Sequence, residues 1–104
     1  MSEFVKIAST DEVGPGSCKT FDVSGSRIAL FNVAGKFYAM DDTCAHRGGP
    51  LGEGTLDGAI VTCPWHGWQY DVSSGACQTN PRVQMVCYEV RVEDKLVKLA
   101  LKQG

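Results

Sequence analysis

The chain has 104 residues, of which 43% are hydrophobic and 21% charged, and its net charge is -2. These values describe one globular domain over 1–104 and exclude a two-domain enzyme. Because the chain has no basic block, nucleic-acid binding and a polybasic membrane anchor are not supported. The longest apolar runs span four residues, such as 28–31, and charged residues interrupt the first twelve positions, so neither a membrane span nor a signal peptide is indicated. We therefore expect a cytoplasmic protein with no membrane or nucleic-acid partner.

Short runs of β-forming residues alternate with turn residues along most of the chain, and none shows the 3.6-residue period of a long helix. We predict strands at 4–8, 18–23, 27–33, 36–40, 59–62, 68–72, 86–92 and 95–101. Dipeptides that tolerate positive φ predict three hairpin turns, at Ser24-Gly25, Ala34-Gly35 and Glu93-Asp94. A single helical turn is predicted at 10–12. The predicted fold class is all-β.

Glycine and proline concentrate in the middle of the chain, from Asp41 to about Pro81. In such a stretch the shape of the backbone matters more than side-chain packing, and loops of this kind often carry chemistry. We interpret 41–81 as a loop-built subdomain inserted into a β scaffold.

Both histidines of the chain follow a cysteine at the spacing of metal ligands. The first pair is Cys44-Ala45-His46, the second is Cys63-Pro64-Trp65-His66, and sixteen residues separate His46 from Cys63. The chain has five cysteines, an odd number, and in a cytosolic protein cysteines with nearby histidines favour a metal site or catalysis over a disulfide framework.

Two kinds of metal site fit these pairs. Two thiolates and two imidazoles could bind a tetrahedral structural zinc, or they could hold a 2Fe-2S cluster with the cysteines on one iron and the histidines on the other. The spacing alone does not decide. Gly48, Gly49 and Gly67 would let two loop backbones approach a bulky group, which favours the cluster. A cysteine nucleophile with a histidine base is disfavoured, because two near-equivalent pairs provide no dominant thiol and no third group to orient the base.

The residues around the two pairs resemble the cluster-binding boxes of Rieske 2Fe-2S proteins, with CAHRGGPL at 44–51 and CPWHGW at 63–68. The strong match covers about 36–81. The resemblance implies a small antiparallel β sandwich or barrel with an inserted cluster-binding subdomain. By matching position, it places Cys44 and Cys63 on the inner iron, and His46 and His66 on the outer iron.

The resemblance also implies electron transfer rather than catalysis. Neutral imidazoles in place of two thiolates make the site less negative, so that an electron is added more easily than in an all-cysteine ferredoxin. Protein and sulfide would fill every iron position, leaving none for a substrate. We therefore expect a monomeric one-electron carrier that accepts electrons from an NAD(P)H-dependent flavin reductase and passes them to a terminal oxygenase.

The branch of the family follows from three further positions. Rieske proteins of the cytochrome complexes clamp their loops with a disulfide, where this chain has Gly49 and Trp65, and place a serine where it has Trp68. We therefore expect a potential at the low end of the Rieske range, about -150 mV. The chain has no histidine to spare for an oxygenase iron site. The small subunit of an assimilatory nitrite reductase and a redox-sensing or structural metal domain are the alternatives.

The remaining polar and sulfur side chains have simpler interpretations. Cys18, Cys77 and Cys87 are expected to be small buried side chains. Asp42 and Glu53 are expected to be solvated charges. Trp65 and Trp68 are expected either to shield the cluster from water or to contact a partner.

Overall fold

A computed structural model describes residues 4–23, 25–43, 49–65, 67–80 and 82–100. Its ten strands are β1 (Phe4–Ser9), β2 (Cys18–Val23), β3 (Ser26–Val33), β4 (Lys36–Asp41), β5 (Thr55–Asp57), β6 (Ile60–Thr62), β7 (Gln69–Asp71), β8 (Cys87–Tyr88), β9 (Val90–Glu93) and β10 (Leu96–Ala100). Within these ranges the helical structure consists of two 3₁₀ turns, Thr10–Glu12 and Leu51–Glu53. The all-β prediction is confirmed. Neither turn has the length or the apolar character that a membrane-crossing helix requires, and the described part of the chain has no other helical segment.

The strands form three antiparallel sheets, with strand orders β1-β10-β9, β2-β3-β4-β8 and β5-β6-β7. The third sheet lies inside the stretch interpreted from sequence as loop-built, which therefore contains three short strands as well as loops. The limits of that subdomain, about 41–81, remain a prediction.

Strand β3 is buried on both faces, which explains its unbroken apolar run. Ala29 and Phe31 point into one core, which they share with Cys63 and Tyr70. The alternate residues Ile28 and Leu30 point into a second core, built with β10. Because successive side chains of a strand point to opposite faces, one strand supplies both cores. The first of these cores lies against the predicted metal-binding loops.

Two predicted elements differ from the structure. The segment 86–92 is not one strand, because β8 pairs with β4 whereas β9 pairs with β10, and the chain passes between the two sheets at Glu89. Strand β5 was not predicted, since its three residues lie between glycines and are too few to show a period.

The hairpin turns depend on residues with positive φ. Ala34 and Gly35 have φ of 53° and 95°, as predicted for the β3–β4 turn. The β9–β10 turn is displaced by one residue from its predicted place, because the positive φ values belong to Asp94 and Lys95 and not to Glu93. Both turns have positive φ at two successive residues, the geometry that matches the right-handed twist of paired strands.

Candidate metal centre

Cys63 is the predicted ligand that lies within the described residues. It follows β6 directly and is 2% exposed. Its N–H donates to the carbonyl of Trp68 over 2.8 Å, and its carbonyl accepts the N–H of Gly67 over 3.2 Å. These bonds close a tight loop at 63–68, and Gly67 has the φ of +77° that favours glycine. The other three predicted ligands, Cys44, His46 and His66, lie outside the described residues.

The first predicted metal-binding loop, which carries Cys44 and His46, is also closed at its base. Thr43 and Pro50 form an isolated antiparallel bridge on either side of it. The 3₁₀ turn Leu51–Glu53 follows directly, and Leu51 is fully buried in the first core. The segment that carries Cys44 and His46 therefore starts and ends at one fixed point of the scaffold.

The described ends of the two loops are in contact. A β-carbon built on Gly49 would lie 2.8 Å from Cys63 Sγ and 3.0 Å from Trp65 Cγ. A real β-carbon essentially never lies as close as 2.8 Å to another heavy atom, and 3.0 Å is at the lower limit of such contacts. The first loop can therefore approach Cys63 and Trp65 this closely only because residue 49 is glycine. The structure thus brings the described part of the first box against the sulfur of the second.

The environment of Cys63 is apolar on its inner side and open on its outer side. Tyr70 and Phe31 are fully buried in the core that includes Cys63. At the tip of the second loop, by contrast, Pro64 and Gly67 are exposed and Trp65 is 54% exposed. A group held by Cys63 would be shielded from water by the core and accessible from the loop tips.

Three further cysteines lie within the described residues, and the surroundings of two of them, Cys18 and Cys87, favour a thiol. Cys18 Sγ lies 3.5 Å from the carbonyl oxygen of Gly54, and burial, assisted by Asp42, raises the pKa of its thiol. Burial also raises the pKa of the Cys87 thiol, and Asp71 adds to that effect. Cys77 is buried, and its sulfur accepts the N–H of Asn80. A thiol with a raised pKa stays protonated at neutral pH, which disfavours metal binding.

Serine in place of Cys18 or Cys87 is therefore expected to leave metal content unchanged. The measurement is iron and acid-labile sulfide per chain, together with the visible absorption spectrum, for each variant beside the parent protein. Loss of half or more of the iron in either variant would contradict the assignment of these cysteines as structural.

Asp42 was predicted as a solvated charge, and that expectation is wrong. Its side chain is 2% exposed, and it accepts hydrogen bonds from Thr20 and Gly52. No signal in the sequence separates it from exposed Glu53, since an acidic residue beside a turn is usually solvated. Within the described ranges no group of three or more His, Cys, Asp or Glu side chains is placed to hold a metal ion.

Comparison with known proteins identifies what this arrangement is similar to. The family profile of the Rieske [2Fe-2S] domain matches residues 3–93. The ferredoxin CarAc of Metapseudomonas resinovorans is 33% identical over 99 residues, which cover 93% of this chain and 92% of that protein.

Two solved structures are similar over almost the whole chain. The ferredoxin of carbazole 1,9a-dioxygenase from Nocardioides aromaticivorans IC177 has a TM-score of 0.89 and 29% identity, covering 97% of this chain and 100% of that one. A chain in the complex of reduced oxygenase and oxidized ferredoxin in carbazole 1,9a-dioxygenase has a TM-score of 0.89 and 31% identity, covering 100% of this chain and 98% of that one.

Proposed function

Because the chain belongs to the Rieske [2Fe-2S] domain family, we propose that Cys44, His46, Cys63 and His66 hold its one 2Fe-2S cluster. The protein acts as a ferredoxin, a one-electron carrier in a dioxygenase system, and is not itself the enzyme. Its acceptor is a terminal oxygenase, and its donor is an NAD(P)H-dependent flavin reductase. It works as a monomer in the cytoplasm.

The observation that supports the ligand set is the contact between the two boxes. Gly49 lies against Cys63 Sγ, with no room for a side chain between them. The bridge of Thr43 with Pro50 and the backbone bonds of Cys63 with Trp68 and Gly67 fix the bases of both loops. Two loops that each carry a cysteine and a histidine, joined this closely, provide the donor set of a Rieske cluster.

Residues of this chain determine the environment of the cluster and its access to partners. When bound, the 2Fe-2S cluster supplies one-electron redox chemistry. Cys63 provides a thiolate from a buried position, while Tyr70 and Phe31 exclude water from the inner side. The open side lies at the loop tips, where exposed Trp65 would be among the first side chains to meet a partner. Electrons therefore enter and leave at this end of the molecule.

The choice of partners is supported by the names of similar proteins. CarAc is a ferredoxin, and one similar structure is a complex of an oxygenase with a ferredoxin. These names favour the dioxygenase ferredoxin over the nitrite-reductase subunit considered from the sequence. The flavin reductase follows from the low potential expected with Gly49, Trp65 and Trp68 in place of the disulfide and serine of high-potential Rieske proteins.

The function is tested by reconstitution. The purified protein is mixed with NADH, a flavin-dependent ferredoxin reductase and the oxygenase component of a carbazole 1,9a-dioxygenase, and oxygenase reduction is followed anaerobically by its visible spectrum. We expect reduction that needs this protein and rises with its concentration. The Cys63→Ser variant, which lacks one proposed ligand, is expected to give only the rate seen without ferredoxin.

A different acceptor separates the alternatives. The same mixture with a sirohaem nitrite reductase in place of the oxygenase should show no dependence on this protein. Transfer to the nitrite reductase, with none to the oxygenase, would overturn the proposed role while leaving the cluster assignment intact.

A further inference from the structure

Asp42 has the most buried carboxylate within the described residues, and the electron-transfer role described above does not use it. Its side chain is 2% exposed and lies at the base of the first loop, two residues before Cys44. Burial of a carboxylate is costly unless hydrogen bonds compensate for the lost water. The hydrogen bonds of Asp42 therefore indicate what its buried carboxylate does.

Those contacts join three parts of the chain. Asp42 Oδ1 accepts the hydroxyl hydrogen of Thr20 over 2.8 Å and the N–H of Gly52 over 2.7 Å. The backbone carbonyl of Asp42 accepts the N–H of Leu51, also over 2.7 Å. Asp42, which precedes the first loop, thus binds Leu51 and Gly52, which follow it. Its side chain also binds Thr20, so that both ends of the loop are connected to β2.

The outer oxygen of the carboxylate has a weaker partner. Asp42 Oδ2 lies 3.6 Å from Arg27 Nη2, and the Arg27 side chain is 56% exposed. An exposed ion pair at that distance contributes little to stability. The bonds to Thr20 and Gly52, which are made by a charged acceptor away from water, are the strong ones.

Gly52 shows how tightly this junction is packed. A β-carbon on Gly52 would lie 2.6 Å from the backbone N of Thr20 and 2.7 Å from the carbonyl carbon of Lys19. The segment that leaves the loop therefore rests directly on the backbone of β2. Asp42 accepts hydrogen bonds from both sides of this contact and fixes its orientation.

We propose that Asp42 is a positioning residue, whose carboxylate locks the base of the first loop so that Cys44 and His46 meet Cys63 and His66 in one geometry. The inference rests on the proposed ligand set. It assigns Asp42 no contact with the cluster. Its effect passes through Gly52 and Thr20 to the two ends of the loop.

The test compares variants that keep or remove the anchoring bonds. Asp42→Asn retains an oxygen that can accept from both Thr20 and Gly52, whereas Asp42→Ala leaves both donors without an acceptor. Thr20→Val removes one donor with little change of shape, and Thr20→Ser restores it. Each protein is assayed for the EPR g-values of its reduced cluster and for the rate at which visible absorption is lost at a fixed temperature.

Asp42→Ala is expected to shift the g-values and to speed cluster loss by about tenfold or more, because a buried donor, Gly52, and a part-buried donor, Thr20, lose their partner. Thr20→Val should shift both readouts in the same direction and by less. Asp42→Asn and Thr20→Ser should have g-values like those of the parent. Val97→Ala, in the second core, is the control for lost stability, and it should lower the melting temperature with unchanged g-values.

Unchanged g-values in both Asp42→Ala and Thr20→Val would overturn the proposal, whatever happens to the melting temperature. If Asp42→Ala does not accumulate as folded protein, Thr20→Val decides by the same criterion. Failure of the ligand set is a separate outcome, since it would appear as an intact cluster in Cys44→Ser with Asp42 unaltered.

Discussion

Alanine in place of His66, or serine in place of Cys63, is expected to abolish the 2Fe-2S cluster. Even residues that only orient metal ligands change metal affinity 10- to 100-fold, so removal of a ligand should lower iron per chain by about tenfold or more. Cys63 is already buried against Gly49, whereas Cys18 and Cys87 lie on β2 and β8. The measurement is iron and acid-labile sulfide per chain, with visible circular dichroism to detect any residual cluster.

Cys18→Ser is the matched control, since it makes the same chemical change in a thiol that lies on β2. It should retain two irons and two sulfides per chain in the ratio expected of a Rieske centre. A parent protein that is colourless and binds one zinc would contradict the cluster assignment, and a Cys63→Ser protein with full iron content would contradict the ligand assignment alone.

Alanine at Gly49 is expected to weaken the cluster strongly although it adds a single carbon. That carbon would lie 2.8 Å from Cys63 Sγ, so the sulfur or the loop backbone must move. The backbone of Cys63 is held by bonds to Trp68 and Gly67, so the displacement falls on the Cys63 sulfur or on the first loop at residue 49, and either movement disturbs the proposed ligand set. Overpacking of this kind costs about 1–3 kcal/mol, which corresponds to a roughly 5- to 150-fold faster loss of the cluster. The loss is followed by visible absorption at a fixed temperature.

Two variants test the cause of this effect. Gly14→Ala adds the same carbon where nothing lies within 4 Å, and it should leave the cluster-loss rate unchanged. Gly49→Ala combined with Trp65→Ala removes the contact with the indole and retains the contact with the sulfur. Because the sulfur contact is the critical one, the double variant should remain unstable. Full recovery of the parent's cluster-loss rate would show that contact with the indole, and not with Cys63, prevents a side chain at residue 49.

The fold was predictable to the extent that local pattern determines it. The β3–β4 hairpin followed from the Ala34-Gly35 turn and the two runs around it, and the structure confirms that turn. The split of 86–92 into β8 and β9 was not predictable, because β8 has only two residues and a single residue, Glu89, separates it from β9. The two strands join different sheets because Tyr88 pairs with Ala39, far away in the sequence, whereas Val90 pairs with Leu99 across the next hairpin.

The candidate site, like the fold, was predictable from the sequence only in part. Cys63 was predicted as a ligand because metal ligands have a distinctive residue type and spacing, and the close approach at Gly49 was suggested by the glycines around it. Asp42 was missed because its role depends on Thr20 and Gly52, which lie 22 and 10 residues away. A carboxylate that will be buried and one that will be solvated are identical in a sequence.

The double burial of β3 has a consequence for the speed of an electron carrier. A protein whose charge changes by one unit at every exchange transfers its electron more slowly if its scaffold must rearrange each time. Strand β3 is hydrogen-bonded to β2 and β4 and packed on both faces, and β2 carries the Thr20 contact that ties down the first loop. A close-packed interior has low compressibility, and groups fixed before a charge arrives need no reorganisation when it does. The first loop is thus attached to a close-packed part of the scaffold, and we expect this attachment to keep the reorganisation energy of electron transfer low.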